Sequence, residues 1–532
     1  ARQRARQSIR GAVSAAGAMA RQDAQASPMQ GAALWVTALA LALGTFMQVL
    51  DTTIANVSLP TIAGNLGAST DQATWVITSF TVANGIGVPL TGWLMNRYGV
   101  VRTFAVSVLA FTAASFLCGV AWSLPSLVFF RALQGAVSGP MIPGSQALML
   151  SIFPQARRAT ALGIWSITTL VAPICGPILG GYISDSWHWG WIFLINVPVG
   201  LAVGMVCWTM LRTRETQVRK LPIDTVGLAL LIVWAGSLQV VLDTGRNAGW
   251  WDSPHILALC VIAAIGFIAF LIWELTEEHP IVDLSLFKNR NFALGTIIFC
   301  LGNGVFFANM ILMPLWLQTQ LGYTATWAGL VSAPTGAVAV LLTPVAAGLM
   351  ARTDARLVAS ISFAAAAASY FLRAGLTNDA SFFAIAVPLM VQGIASASFF
   401  IALVIIILDG LPQERIPDAS GLANFVRIIG SGFAASIVTT LWDNREALHQ
   451  SRLADVTTAY APQFNAALAA LRALGLEDMA AKAAITRGMV GQAYLLASLD
   501  VFTLSAWLCI GLVALAWLCH RPASGAAMPA AE

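Results

Sequence analysis

Asp51 is the residue of this chain best suited to do chemistry. It lies in TFMQVLDTTIANVSLP, where Gln48, Asp51, Thr52, Ala55 and Asn56 recur at steps of three and four, the spacing that aligns side chains on one helix face. A charge at the centre of a membrane helix costs about 2.5–3.5 kcal/mol on insertion scales, so this stripe must face a bundle interior or a water-filled cavity. Asp51 is then either a carboxylate that takes up and releases a proton or a permanently paired structural acid. Arg131, in RALQGAVSG, shares a face with Gln134 and Ser138. It either holds Asp51 ionised until a proton arrives or is a fixed cation bonded to backbone carbonyls. Far along the chain Ser420, Asn424, Arg427 and Ser431 repeat the device. Arg427 supplies positive charge to that part of the molecule, binds an anionic substrate group, or serves structure alone. Gln48, Thr52, Asn56, Gln134, Asn424 and Arg427 are the candidates to line a substrate cavity.

A second pattern concerns backbone shape. GIWSITTLVAPICGPILGG, residues 163–181, carries Gly163, Pro173, Gly176, Pro177, Gly180 and Gly181. In a helix interior glycine costs about 1 kcal/mol and proline about 3. Membrane helices tolerate both where neighbours re-satisfy the backbone, and small residues let them pack closely. The stretch predicts a bending, tightly packed helix in a moving bundle, against the alternative of static small-residue packing. Three further acids have plainer readings: Asp500 as partly buried near the outer surface, Asp224 and Asp243 as solvated helix-end carboxylates. Trp35, Trp122, Trp187, Trp189, Trp191, Trp250 and Trp251 fit interfacial belts.

The elements that position these residues are membrane helices. The chain is 58% hydrophobic and 10% charged, with a mean hydropathy of +0.77, whereas soluble domains carry about 25% charged residues. Runs of about 20 apolar residues, enough to cross a bilayer, number fourteen: 33–57, 73–94, 103–122, 126–149, 161–182, 191–211, 224–242, 255–274, 292–318, 327–350, 356–375, 381–408, 419–441 and 494–519. Lys and Arg concentrate in the segments that are cytoplasmic if both termini are, the sense of the positive-inside rule. Residues 1–32 read as a disordered cytoplasmic tail and 520–532 as a second tail. Residues 443–492 form a periplasmic helical insert, too short for an enzyme domain.

The seven cysteines and five histidines show no metal-ligand spacing, and no hydrolytic triad, Walker loop or dinucleotide fingerprint is present, so no metal or other cofactor is expected. The net charge of +4 is too small to imply nucleic-acid binding.

These residues resemble the major facilitator superfamily, and within it the fourteen-helix drug:proton antiporters of the EmrB/QacA type. GWLMNRYGVVR is similar to the family's loop motif through Gly92, Arg97, Gly99 and Arg102, with Asn96 replacing the usual acid, and GLMARTDAR resembles its second-half counterpart. LDTTIANVSLP resembles the first-helix motif, RALQG the fourth-helix arginine motif, and residues 163–181 the antiporter motif, with Ala172 where glycine is usual. WIFLINVPVG and NFVRIIG are further landmarks, and the long outer loop is most like the EmrB branch.

The resemblance implies an all-α polytopic fold with two six-helix bundles, 33–211 and 292–519, and a linker, 212–291, carrying two extra helices. It implies proton-coupled efflux of hydrophobic or amphipathic compounds across a bacterial inner membrane, with Asp51 and Arg131 coupling the proton. Gly92, Asn96, Arg97, Gly99, Arg102, Gly163, Pro173, Gly176, Pro177, Gly180 and Gly181 are then conformational motifs, and a periplasmic membrane-fusion adaptor and outer-membrane channel are partners. The alternatives are a narrow exporter or importer of siderophores or aromatic acids, and a non-transporting scaffold.

Overall fold

The computed structural model describes residues 29–521 apart from 155–156, 217, 219–221, 247, 279, 351, 413–414 and 459. Residues 1–28 and 522–532, read as parts of the two tails, lie outside the described residues. Among those described there is helix and no strand, as expected where lipid offers no partner for an open backbone. In the first part of the chain the helices are α1 (Gly31–Asn65), α2 (Trp75–Gly87), α3 (Leu90–Tyr98), α4 (Val100–Gly119), α5 (Leu124–Ser138), α6 (Met141–Ile152), α7 (Arg158–Ser186) and α8 (Asn196–Leu211). Then come α9 (Thr225–Thr244) and α10 (Pro254–Thr276). The second part holds α11 (Arg290–Thr319), α12 (Ala325–Met350), α13 (Ala355–Arg373), α14 (Phe382–Leu408), α15 (Ile416–Val456), α16 (Pro462–Ala473) and α17 (Asp478–Ala516).

Among the described residues, eleven helices are long and apolar enough to cross a membrane. Three expected spans are interrupted, 73–94 at Val88–Pro89, 126–149 at Gly139–Pro140 and 191–211 at Ile195; at the first two, proline lacks a donor and clashes with the preceding turn. Elsewhere Pro60, Pro173, Pro177, Pro314 and Pro388 remain inside continuous helices. The insert is helical, as read from sequence. However, α15 and α17 run through the expected boundaries at 441 and 494 without a break, and α16 joins them.

Helices of residues 31–211 pack chiefly on one another, as do those of 290–516. Leu39, Val106, Phe129, Met205, Ile265, Leu341 and Phe383 point outward, where lipid replaces water. Trp122 and Trp251 are exposed as belt residues should be, but Trp189 is 2% exposed and packs on Phe193. That one belongs to the core, because its neighbours Gly190 and Gly119 bring two backbones together over it.

On the side bearing the insert the two parts meet. Asp185, on the last turn of α7, accepts the backbone N–H groups of Ala325 (3.2 Å) and Thr326 (2.7 Å) at the start of α12. Gln318 donates to the Val57 carbonyl at 2.7 Å. On the opposite, arginine-rich side a cavity of about 1160 Å³ separates them, lined by Gly92, Asn96, Ala147, Glu274, Leu422 and Phe425 among others.

Asp354 caps α13 and bonds Arg356 at 2.8 Å. The Arg356 guanidinium holds this carboxyl below its ordinary value of 3.8. A depressed acid stabilises the folded protein above its unfolded value and stops doing so as pH falls through the folded one. Asp354→Asn should therefore lower the melting temperature above pH 3.8, by the worth of about 1 kcal/mol, and converge with wild type in more acid solution. Thermal unfolding in detergent at both pH values measures this.

Candidate functional site

Asp51, midway along α1, is wholly buried, and Arg131 on α5 is 1% exposed. Their helices bring Arg131 Nη1 to 2.5 Å from Asp51 Oδ2. The same nitrogen lies 2.7 Å from Gln134 Oε1, and Nε donates to the Val76 carbonyl at 3.0 Å. Asp51 Oδ1 accepts from Gln134 Nε2 (3.1 Å) and Asn196 Nδ2 (3.0 Å). Asn196 is held in turn by Ser115, which donates to the Phe193 carbonyl. The guanidinium also lies over the Phe80 ring, 4.1 Å from its centroid, a favourable contact for a cation.

Two features of this network matter chemically. Breaking a buried ion pair by removing one partner costs about 3–5 kcal/mol, so the pair is strongly interdependent. Yet each member also has neutral partners: Gln134 and Asn196 for the acid, Val76 and Gln134 for the base. A proton on Asp51 cancels the charge attraction while leaving both side chains tethered.

The other sequence candidates fall differently. Thr52 bonds its own helix at the Val49 carbonyl, and Ser138 bonds Asn84 rather than the ion pair. Gln48 Oε1 and both polar atoms of Asn56 are buried with no hydrogen-bond partner, which is rare for such groups. In the second part, Arg427 contacts Asn424 (3.3 Å) and Asn303 (3.5 Å) and lies over Phe299 and Phe400. Among the described residues it has no carboxylate within ion-pair distance.

Helix α7 stays unbroken through Pro173 and Pro177, with Gly163 near its start. A Cβ on Gly176 would meet the Thr53 side chain, one on Gly180 would stand 2.6 Å from the Ile54 carbonyl oxygen, and one on Gly181 would lie 2.7 Å from Thr326 Cα. The small residues thus let α7 touch α1 and the start of α12 directly. In the loop motif, Gly92 and Asn96 are exposed and Arg97 half-buried. Gly99 turns the chain at φ +92°. At the start of α4, Glu215 accepts the N–H groups of Val101 and Arg102 at 2.9 Å each and lies 4.0 Å from Arg102.

Three polar residues of this architecture have no role in the sequence analysis, and a fourth departs from the one expected there. Asn196 sits in a recognised landmark but was given no role; a lone amide in an apolar run was its signal. Glu215 lies far from the loop it caps, beyond any periodicity. Arg373 is fully buried against Gln392, Ser369 and Tyr370, and only its place near a span end was visible. Asp243, expected to be solvated, is instead partly buried, its Oδ1 sealed from solvent, and bonded to Thr78 and Gln239, because α9 packs against α2 and α15. Asp500 is partly buried as expected, paired with His449 and Arg445.

The profile of the Major Facilitator Superfamily matches residues 41–435. The chain belongs to the Major Facilitator Superfamily. It is 47% identical over 499 residues to the multidrug export protein EmrB of Escherichia coli (strain K12), covering 94% of this chain and 98% of that one. It is 45% identical over 496 residues to the fatty acid resistance protein FarB of Neisseria gonorrhoeae, covering 93% and 98%. Within the superfamily it therefore falls in the EmrB-type branch, as a multi-pass protein of the inner membrane.

Solved structures of the same fold include a bacterial homologue of the human lysosomal transporter Spinster, inward-facing and unoccupied. Its TM-score is 0.59 at 16% identity, over 92% of this chain and 97% of that one. A POT family transporter in complex with 5-aminolevulinic acid gives 0.63 at 12% identity, with the same two coverages.

Proposed function

We propose that this chain is a proton-driven exporter of hydrophobic and amphipathic compounds, the inner-membrane pump of a tripartite system. It crosses the membrane fourteen times with both termini in the cytoplasm. Residues 33–211 and 292–519 form two six-helix bundles that rock about a midplane site, and 212–291 link them. The arginine-rich side faces the cytoplasm and the insert faces the periplasm. The observation that carries the reading is the Asp51–Arg131 pair, sealed inside one bundle and backed by neutral donors. Buried ion pairs are expensive to keep charged, and a proton offers this one a neutral alternative without disassembling it.

In the cycle, a periplasmic proton neutralises Asp51 and frees Arg131 from its attraction. Release of that proton to the cytoplasm restores the pair. Substrate alternates with the proton at a site lined by Gln48, Thr52, Asn56, Gln134, Asn424 and Arg427, none of which borders the cavity on the arginine-rich side, so the site opens only as the bundles move. The glycines of α7 and the loop of Gly92, Asn96, Arg97, Gly99 and Arg102 guide the exchange of access. The continuous helices α15 and α17, raising the 443–492 insert beyond the apolar zone, support an arm for a periplasmic adaptor, itself joined to an outer-membrane channel.

A narrower reading, export of amphipathic acids, is favoured by Arg427. It is a half-buried cation between aromatic rings with no acid of its own, suited to a carboxylate head group beneath an apolar body.

Purified protein in liposomes should accumulate fluorescent amphiphiles against their gradient when the pH gradient opposes their movement, and stop when a protonophore collapses it. Accumulation indifferent to the collapse rejects proton coupling. Movement in the same direction as the protons rejects export.

A further inference from the structure

The first helix between the two bundles, α9, carries an acid that the exchange just described does not use. Asp243 lies in its last turn. Thr78 on α2, itself fully buried, donates to Asp243 Oδ2 at 3.0 Å. Gln239, one turn earlier, donates to the same oxygen at 2.7 Å, and its Nε2 lies 2.7 Å from Ser436 Oγ on α15, a hydroxyl that also hydrogen-bonds the Asp243 carboxyl. Thr440 adds a bond to the Leu242 carbonyl at 3.4 Å. A single turn of an extra helix thus ties one bundle to the other on the insert side, where they are in contact.

The polar accounting of this cluster is one donor short. Asp243 Oδ1 and Gln239 Oε1 are both buried acceptors without a hydrogen bond. Counter-charge is missing too. Arg246, the nearest cation along the chain, is engaged with Asp443 at 2.6 Å. Helix α2 bears no charged residue. On the outer part of α15 stand Asp443, Arg445, which pairs with Asp500, and buried Glu446. Arg427 lies further in on the same helix with Asn424 and Asn303. The segment packed on α9 from the other side brings Asp252, His255 and, at its far end, Glu274. None of these cations is in ion-pair contact with Asp243 among the described residues. This is unlike Asp51, whose charge Arg131 meets directly.

We infer that Asp243 is a proton-responsive positioning residue: its neutral form holds the two bundles together on the insert side, and its ionised form lets them part. An ionised carboxylate enclosed without a cation is strongly disfavoured, whereas a proton removes the charge and supplies the missing donor. When the bundles separate, Asp243 meets water, which stabilises the ionised form. The proton is taken from and returned to the same compartment, so acidity on the insert side favours closure there without adding to the transported protons. This inference rests on the proton-coupled, alternating reading and assigns a control to a residue that reading leaves idle.

Spin labels on two exposed positions of the insert side, Asn65 and Thr377, report the separation of the bundles in lipid nanodiscs as pH is varied. To remove the contribution of the coupling site, the comparison is made in Asp51→Asn. The expected result is a closed population that falls as pH rises, and that stays high at every pH once Asp243→Asn is added, since the amide is permanently neutral and can donate. An equal pH response with and without Asp243→Asn overturns the inference, as does its complete loss in Asp51→Asn alone. Neither outcome touches proton-driven transport, which is judged separately by uptake in wild type. Should Asp243→Asn fail to fold, Thr78→Val serves instead. It leaves the carboxyl ionisable but strips a donor from the charged form, so the midpoint of closure must move to higher pH; an unmoved midpoint rejects the inference.

Discussion

Asp51→Asn is expected to bind substrate and exchange it downhill, yet sustain no uphill accumulation. For one-for-one exchange, a gradient of one pH unit is worth about 1.4 kcal/mol, or about a tenfold substrate gradient. Wild type in liposomes should approach that ratio and the variant should remain at unity, and when each is expressed in a pump-deficient strain only wild type should confer drug resistance. The amide oxygen can still accept from Arg131, while its nitrogen faces the Gln134 and Asn196 amides, which donate to Asp51 Oδ1 in the wild type and need only rotate to accept, so folding should survive. Arg131→Ala is the harsher change. It leaves Asp51 enclosed without its cation, at a cost of about 3–5 kcal/mol, and also removes the plane that stacks on Phe80. An Asp51→Asn protein that still concentrates substrate in response to the pH gradient would remove this acid from the energy-coupling step.

The second large effect concerns α7. Gly180→Val should prevent the insert-side closed form from assembling, because its Cβ would stand 2.6 Å from a main-chain oxygen of α1, an atom that cannot rotate away. Overpacking a filled core costs about 1–3 kcal/mol when side chains can adjust, and a backbone neighbour puts this site at or beyond the upper end. Gly92→Ala is the matched control. Nothing lies within 4 Å of its would-be Cβ, and alanine is favoured over glycine in a helix by about 1 kcal/mol, so stability should hold or rise. Thermal unfolding of the two variants in detergent decides the point. Equal stability of both would mean that α7 and α1 are not in firm contact.

Much of the site was legible along the chain. Helical spacing alone placed Asp51 among Gln48 and Asn56, and Arg131 with Gln134, and those faces are buried in the structure. The clustering of Gly176, Pro177, Gly180 and Gly181 foretold a closely packed helix because backbone approach demands the absence of a side chain. Where one residue covers two readings, periodicity misled: Asp243 at the end of an apolar run looks like any solvated helix-end acid until α2 and α15 are set against it. Trp189 likewise looks like its belt neighbours until two glycines draw backbones over it.

Residue order along a helix is a local property, so composition and spacing were enough to establish a membrane-embedded helical fold and to nominate the acid and the arginine, while the transporter reading came from the family resemblance. The distance between residues on different helices depends on how those helices cross and slide. Only the packed molecule therefore decided that Asn196 and Val76 complete the ion pair and that Glu215 caps the start of α4 beside Arg102. The same packing set Asp243 against α2 and α15 and left Arg427 with no carboxylate within ion-pair distance among the described residues.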